Sequence, residues 1–122
     1  MNNQPEGEEK KVLTKTLKRV YARLNLTRAE LIAILGLSES SLSRLFSKTY
    51  FINPSSKEGD LTILLIRFYK NLDILFGGNI DQCRLWLRSE NIHLNDIPIN
   101  LIQSIKGLVD AIDYLEAMRG NK

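Results

Sequence analysis

Cys83, His93 and the carboxylates Asp110, Asp113 and Glu116 are the residues of this 122-residue chain best suited to move a proton or attack an electrophile. Their settings argue against it. Cys83 shares a helical face with Ile80 and Leu87 and has no basic group one turn away, so it reads as a small apolar filler rather than an activated thiolate. His93 falls in the irregular segment S-E-N-I-H-L-N-D-I before Pro98 and reads as a surface histidine. The three carboxylates recur at helical spacing on the outward side of a C-terminal helix, where nothing desolvates them enough for general-acid work. There is no G-x-S-x-G elbow, no phosphate-binding glycine loop and no H-E-x-x-H, and one cysteine with one histidine is too few for a structural zinc site or an internal disulfide. No enzyme and no cofactor are expected. The chemistry that remains is recognition, and Arg44 set among Ser40, Ser41 and Ser43 is a donor-rich group suited to base edges and phosphates.

The elements that would hold Arg44 are legible in L-N-L-T-R-A-E-L-I-A-I-L-G-L-S-E-S-S-L-S-R-L-F-S-K, residues 24–48. Thr27 with Glu30 three residues on forms a capping box, and Leu31, Ile34 and Leu35 make one apolar face. Gly36 then ends that helix where a left-handed residue is required. Ser38 caps a second helix that buries Leu42 and Leu45 and leaves Ser40, Ser41, Ser43, Arg44, Ser47 and Lys48 outward. A capped helix, a glycine turn and a second helix with a polar, basic face is a helix-turn-helix pattern, whose second helix enters the DNA major groove. The same pattern also occurs in helical bundles that never meet DNA. Ile32 stands where such units usually carry alanine, which predicts slightly wider packing.

Charge is distributed unevenly. Residues 10–70 carry twelve Lys or Arg against four acidic residues, a net of +8, whereas residues 71–122 carry five against seven, a net of −2. A basic half fused to a mildly acidic one suggests two partners, a polyanion for the first and something different for the second. The polar, acidic start M-N-N-Q-P-E-G-E-E is unlike a signal peptide, and no apolar run approaches the ~20 residues of a membrane span. A cytoplasmic protein with no membrane partner is expected.

Every segment reads as helical, so the expected fold is all-α. Residues 1–8 read as a disordered tail, 9–56 as the DNA-binding unit, 57–76 as a spine helix, and 77–122 as a second small helical domain. The first helix, from about Glu8, buries Val12 or Leu13, then Leu17, Val20, Tyr21 and Leu24, and presents Lys10, Lys11, Lys15, Lys18, Arg19 and Arg23 outward. Ser55 and Glu58 suggest a capping box for the spine, whose inner stripe is Leu61, Leu64, Leu65, Phe68, Leu72, Leu75 and Phe76. After Gly77-Gly78, Asn79 caps a helix with Trp86 at the edge of its apolar face. The last helix places Ile105, Leu108, Val109, Ile112, Leu115 and Met118 inward by spacing.

The C-terminal half carries a specific resemblance. The run L-F-G-G-N-I-D-Q-C-R-L-W-L-R-S-E-N-I-H-L at 75–94, I-P-I-N-L-I at 97–102 and G-L-V-D-A-I-D-Y-L-E-A-M-R-G at 107–120 resembles the toxin-binding domain of the MbcA/ParS/Xre antitoxin family. The helix-turn-helix resembles that family's Xre-like N-terminal domain, so the likeness covers about residues 10–120. Where the family often has Leu-Gly-Gly before the proline turn, this chain has Leu94-Asn95-Asp96. The resemblance implies an antitoxin that pairs with a RES-domain toxin, an enzyme acting on NAD, by covering its active site, and that represses its own operon through operator DNA. By matching positions it implies toxin-facing roles for Trp86, Arg88, Asn91, Tyr114, Arg119 and Gly120, with Arg119 on a terminus free to enter a pocket. On the DNA side, Arg44 would read a base edge with Ser40, Ser41 and Ser43 beside it, while Arg28, Lys48 and the first-helix lysines would hold phosphates. Because one short helix buries too little for specific binding, a homodimer is expected. A helical interaction module with a vestigial helix-turn-helix, and a stand-alone regulator sensing a small ligand, remain alternatives.

Overall fold

The computed structural model describes residues 4–120. Among them lie seven helices and no strand: α1 Gln4–Arg23, α2 Arg28–Leu35, α3 Glu39–Phe46, α4 Lys57–Leu75, α5 Ile80–Arg88, α6 Pro98–Leu101 and α7 Ile105–Met118. The fold is all-α, as expected. α1 starts at Gln4 rather than near Glu8, so the segment expected to be a tail is helical from residue 4. Pro5 is tolerated in a first helical turn, where its missing N–H has no intrahelical partner to lose. Residues 1–3 of that expected tail lie outside the described residues.

α1 buries Leu17 and Val20, and Leu24 is buried just past its end. Of the pair Val12 and Leu13 it is Leu13 that packs on the core, while Val12 is 60% exposed. Asn25 ends the helix at φ +57°, with its N–H on Ala22 O and the Leu26 N–H on Tyr21 O, so an asparagine occupies the left-handed position that glycine usually takes. Farther back, the buried Thr14 hydroxyl accepts the Ile52 N–H at 2.8 Å, which ties the loop after α3 to α1.

The spine α4 is capped by Ser56 instead of Ser55. Ser56 Oγ accepts the Gly59 N–H at 3.0 Å, while the Ser55 N–H turns back to Asn53 Oδ1 at 2.9 Å. The turn begun by the Asn53 side chain delays the helix by one residue. Nineteen residues long, α4 spans about 28 Å. It buries Leu61, Leu65, Phe68 and Leu72, with Leu64 and Leu75 half-buried at its margin and Phe76 half-buried just past its end.

The inward face of α7 differs from its expected register. Ile105, Val109 and Met118 are exposed, and Gly107, Leu108, Ala111, Ile112 and Leu115 are buried. The small residues explain the shift. A Cβ at Gly107 would lie 2.0 Å from Leu101 O, so the α6–α7 turn sits directly on the helix backbone and only glycine permits the approach. Glu116, expected to point outward, has a side chain only 13% exposed and pairs with Arg67 of α4, Nε to Oε2 at 2.8 Å and Nη2 to Oε1 at 2.9 Å. One hydrophobic cluster runs from Leu17 of α1 to Leu115 of α7, so the two halves of the chain share a core.

Candidate DNA and partner interfaces

The helix-turn-helix is built by local hydrogen bonds. Glu30 N–H donates to Thr27 Oγ1 at 3.0 Å and Thr27 N–H to Glu30 Oε1 at 2.9 Å, completing the capping box. Gly36 takes φ +69° and donates its N–H to Ile32 O at 2.8 Å. Ser38 Oγ accepts the Ser41 N–H at 3.0 Å and starts α3. Leu42 and Leu45 are fully buried, and Ser40, Ser43, Arg44, Ser47 and Lys48 face outward as expected, with Ser41 half-buried. Ile32 is half-buried against the core.

Two of the expected DNA contacts are pre-positioned by neighbours. Arg44 donates to Ser41 Oγ at 3.2 Å, and Ser41 Oγ also accepts from Ser38 Oγ at 3.0 Å, so a line of hydroxyls along α3 holds the guanidinium at the surface. Arg28 is committed within the unit. It donates to Glu39 Oε1 at 2.5 Å and Ser43 Oγ at 3.0 Å, and its guanidinium carbon lies 5.7 Å from the Phe46 ring centroid. Arg28 thus clamps α2 to α3. Lys48 stands just past α3 at φ +69° and is exposed. Glu39, in the first turn of α3 with its side chain 68% exposed, was not singled out above; its place at the start of a recognition helix was the available signal.

The residues expected to face a toxin fall in four places. Trp86 is half-buried, its ring centroid 6.2 Å from that of Phe68 and 6.4 Å from that of Tyr114, and Tyr114 lies 6.0 Å from His93. These rings form a ladder from core to surface. Asn91 organises its own loop: its Oδ1 accepts the Leu94 N–H at 3.1 Å, its carbonyl accepts the Asn95 N–H at 2.8 Å, and its N–H reaches Asp96 O. Asn95 adopts φ +63°, a left-handed conformation that asparagine reaches more readily than most residues.

Arg88 lies elsewhere, against the helix-turn-helix. Its guanidinium grips both Glu30 oxygens at 2.8 Å and donates to Asn25 O at 3.1 Å. Those hydrogen bonds are the main cause holding the Glu30 carboxyl below its usual range. Arg84 adds a second staple, Nε to Arg23 O at 2.8 Å. Arg119 is not free on the terminus: it donates to the buried Asn71 Oδ1 of α4. Gly120 is exposed at φ +79°, and residues 121–122 lie outside the described residues. Cys83 is fully buried, and burial pushes its thiol up, in keeping with a filler.

Two family models match the chain. Residues 5–67 match the antitoxin Xre-like helix-turn-helix domain, and residues 71–120 match the antitoxin Xre/MbcA/ParS C-terminal toxin-binding domain. The chain belongs to the Xre/MbcA/ParS antitoxin family. A search of curated proteins returns no match. The two matches meet inside α4, between Arg67 and Asn71, so the antitoxin's spine helix serves both domains. Neither matched domain is of an enzymatic family. Among the described residues no helix of the antitoxin is long and apolar enough to cross a membrane, and no group of three or more His, Cys, Asp or Glu could hold a metal ion.

Proposed function

We propose that this antitoxin neutralises a RES-domain toxin by covering its active site, works in the cytoplasm as a homodimer, and represses its own operon through the helix-turn-helix. The observation that carries the reading is the coexistence of an exposed, serine-framed Arg44 on α3 with a toxin-binding domain stapled to the same unit through Arg88 and Glu30. The ladder of Trp86, Tyr114 and His93 presents aromatic edges of the kind that anchor protein interfaces. Arg119 bound to Asn71 positions the chain end; for Arg119 to enter a toxin pocket, that bond must open first.

The DNA arm is tested by titrating the region upstream of the gene, at several salt concentrations, with the antitoxin and with Arg44→Ala. Wild type is expected to bind with a steep salt dependence. Arg44→Ala is expected to lose about 1–3 kcal/mol on that sequence and to discriminate less among sequences. An equal loss on every duplex would make Arg44 a phosphate contact. Wild type without salt-dependent binding would leave a helical interaction module whose helix-turn-helix is vestigial.

A further inference from the structure

α4 is apolar on two opposite sides. Leu61, Leu65, Phe68 and Leu72 fill the core, whereas Ile63, Ile66 and Ile74 lie on the other side with Lys70 between them, spaced three, seven and eleven residues from Ile63. That second stripe runs about 16 Å along the helix. Ile63 is 48% and Ile74 56% exposed. With Val12, 60% exposed, and the half-buried Leu13 of α1, the stripe lines a cleft of about 560 Å³ that continues into a second of about 390 Å³, both sharing Ile63, Ile66 and Lys70. A helix apolar on both sides is buried on both, and a contiguous apolar patch with a polar rim marks an interface.

The charges along this groove identify its occupant. α1 and α4 run in the same direction, because Thr14 bonds Ile52 just before α4 and Arg23 bonds the Tyr69 hydroxyl near its far end. The groove is therefore acidic at its start, which Glu8 and Glu9 line with Pro54, and basic farther along, at Lys70 and then at Arg67 and Arg119 of the second cleft. Such a surface is complementary to itself when turned through a two-fold axis. We propose that a second copy of this chain docks antiparallel on the Val12–Ile63–Ile74 stripe, each copy's Glu8 and Glu9 meeting the other's Lys70, as an isologous interface requires. The inference rests on the homodimer reading above and specifies its face.

Light scattering on the full chain across a dilution series tests both. Wild type is expected to be a dimer. Ile63→Asp, with helicity unchanged by circular dichroism, is expected to raise the dimer dissociation constant about a hundredfold. Lys70→Glu is expected to weaken the dimer about tenfold, and Glu8→Lys with Glu9→Lys in the same chain to restore it. Should Ile63→Asp fail to fold, Val12→Asp on α1 carries the same expectation. A wild-type dimer untouched by either aspartate, or a charge reversal that restores nothing, overturns this face while leaving dimerisation standing. A wild type monomeric at every concentration overturns both. A monomer whose Ile63→Asp variant loses a co-expressed toxin assigns the stripe to the toxin and also overturns the proposal.

Discussion

Gly107→Ala is expected to destabilise the antitoxin by about 3 kcal/mol, because the new methyl has nowhere to go. It would stand 2.0 Å from Leu101 O and 2.7 Å from Leu101 C, and both obstacles are backbone. Relief requires α7 to move off the turn after α6. That movement would open the packing of Leu108, Ala111 and Leu115, which are fully buried. The same substitution in an exposed helix interior would stabilise by about 1 kcal/mol through helix propensity, so even the sign of the change is diagnostic. Denaturant unfolding followed by circular dichroism reads the difference directly, and a neutral or stabilising result would mean that α7 does not rest on the turn.

Glu30→Ala is expected to cost about 2–3 kcal/mol, more than a surface ion pair normally contributes. Three bonds end on this one carboxylate: the Thr27 N–H at 2.9 Å and the two Arg88 contacts at 2.8 Å. The carboxylate's side chain is only 16% exposed, so its loss removes half of a capping box and leaves the half-screened Arg88 with the Asn25 carbonyl but no counter-charge. Arg88→Ala should cost less, since Arg88 is 39% exposed and the capping box survives. The sign of the pH dependence follows from the depressed carboxyl. Its stabilisation is complete above the ordinary value near 4.5 and is lost as pH falls through the lower folded value. Unfolding curves of wild type and Glu30→Gln should therefore lie apart at neutral pH and converge in acid below that ordinary value. Curves that stay parallel throughout would show that the Glu30 charge does no work.

The helix-turn-helix was readable because its signals are local. Thr27 with Glu30, Gly36 and Ser38 each act within one helical turn, so spacing alone reports them. At α7 spacing misled, because Ile105, Val109 and Ile112 form one plausible stripe and Leu108, Ile112 and Leu115 another. The choice between them falls to Gly107, whose missing side chain lets the Leu101 backbone approach, and a periodicity of apolar residues does not register smallness. The cap of α4 moved by one residue because Asn53 bonds Ser55 first. Arg88 is the larger lesson: its partner Glu30 is 58 residues away, so resemblance marks the position while only the folded chain shows that it staples the two domains together.

An antitoxin with a toxin-binding domain is expected to hold a toxin inactive. Co-expression with the product of the adjacent gene, scored by growth and by copurification, tests it most directly. The neighbour alone is expected to arrest growth, the antitoxin to restore it, and the two proteins to elute as one complex. Continued arrest while both proteins accumulate in soluble form, with no complex recovered, would contradict this expectation.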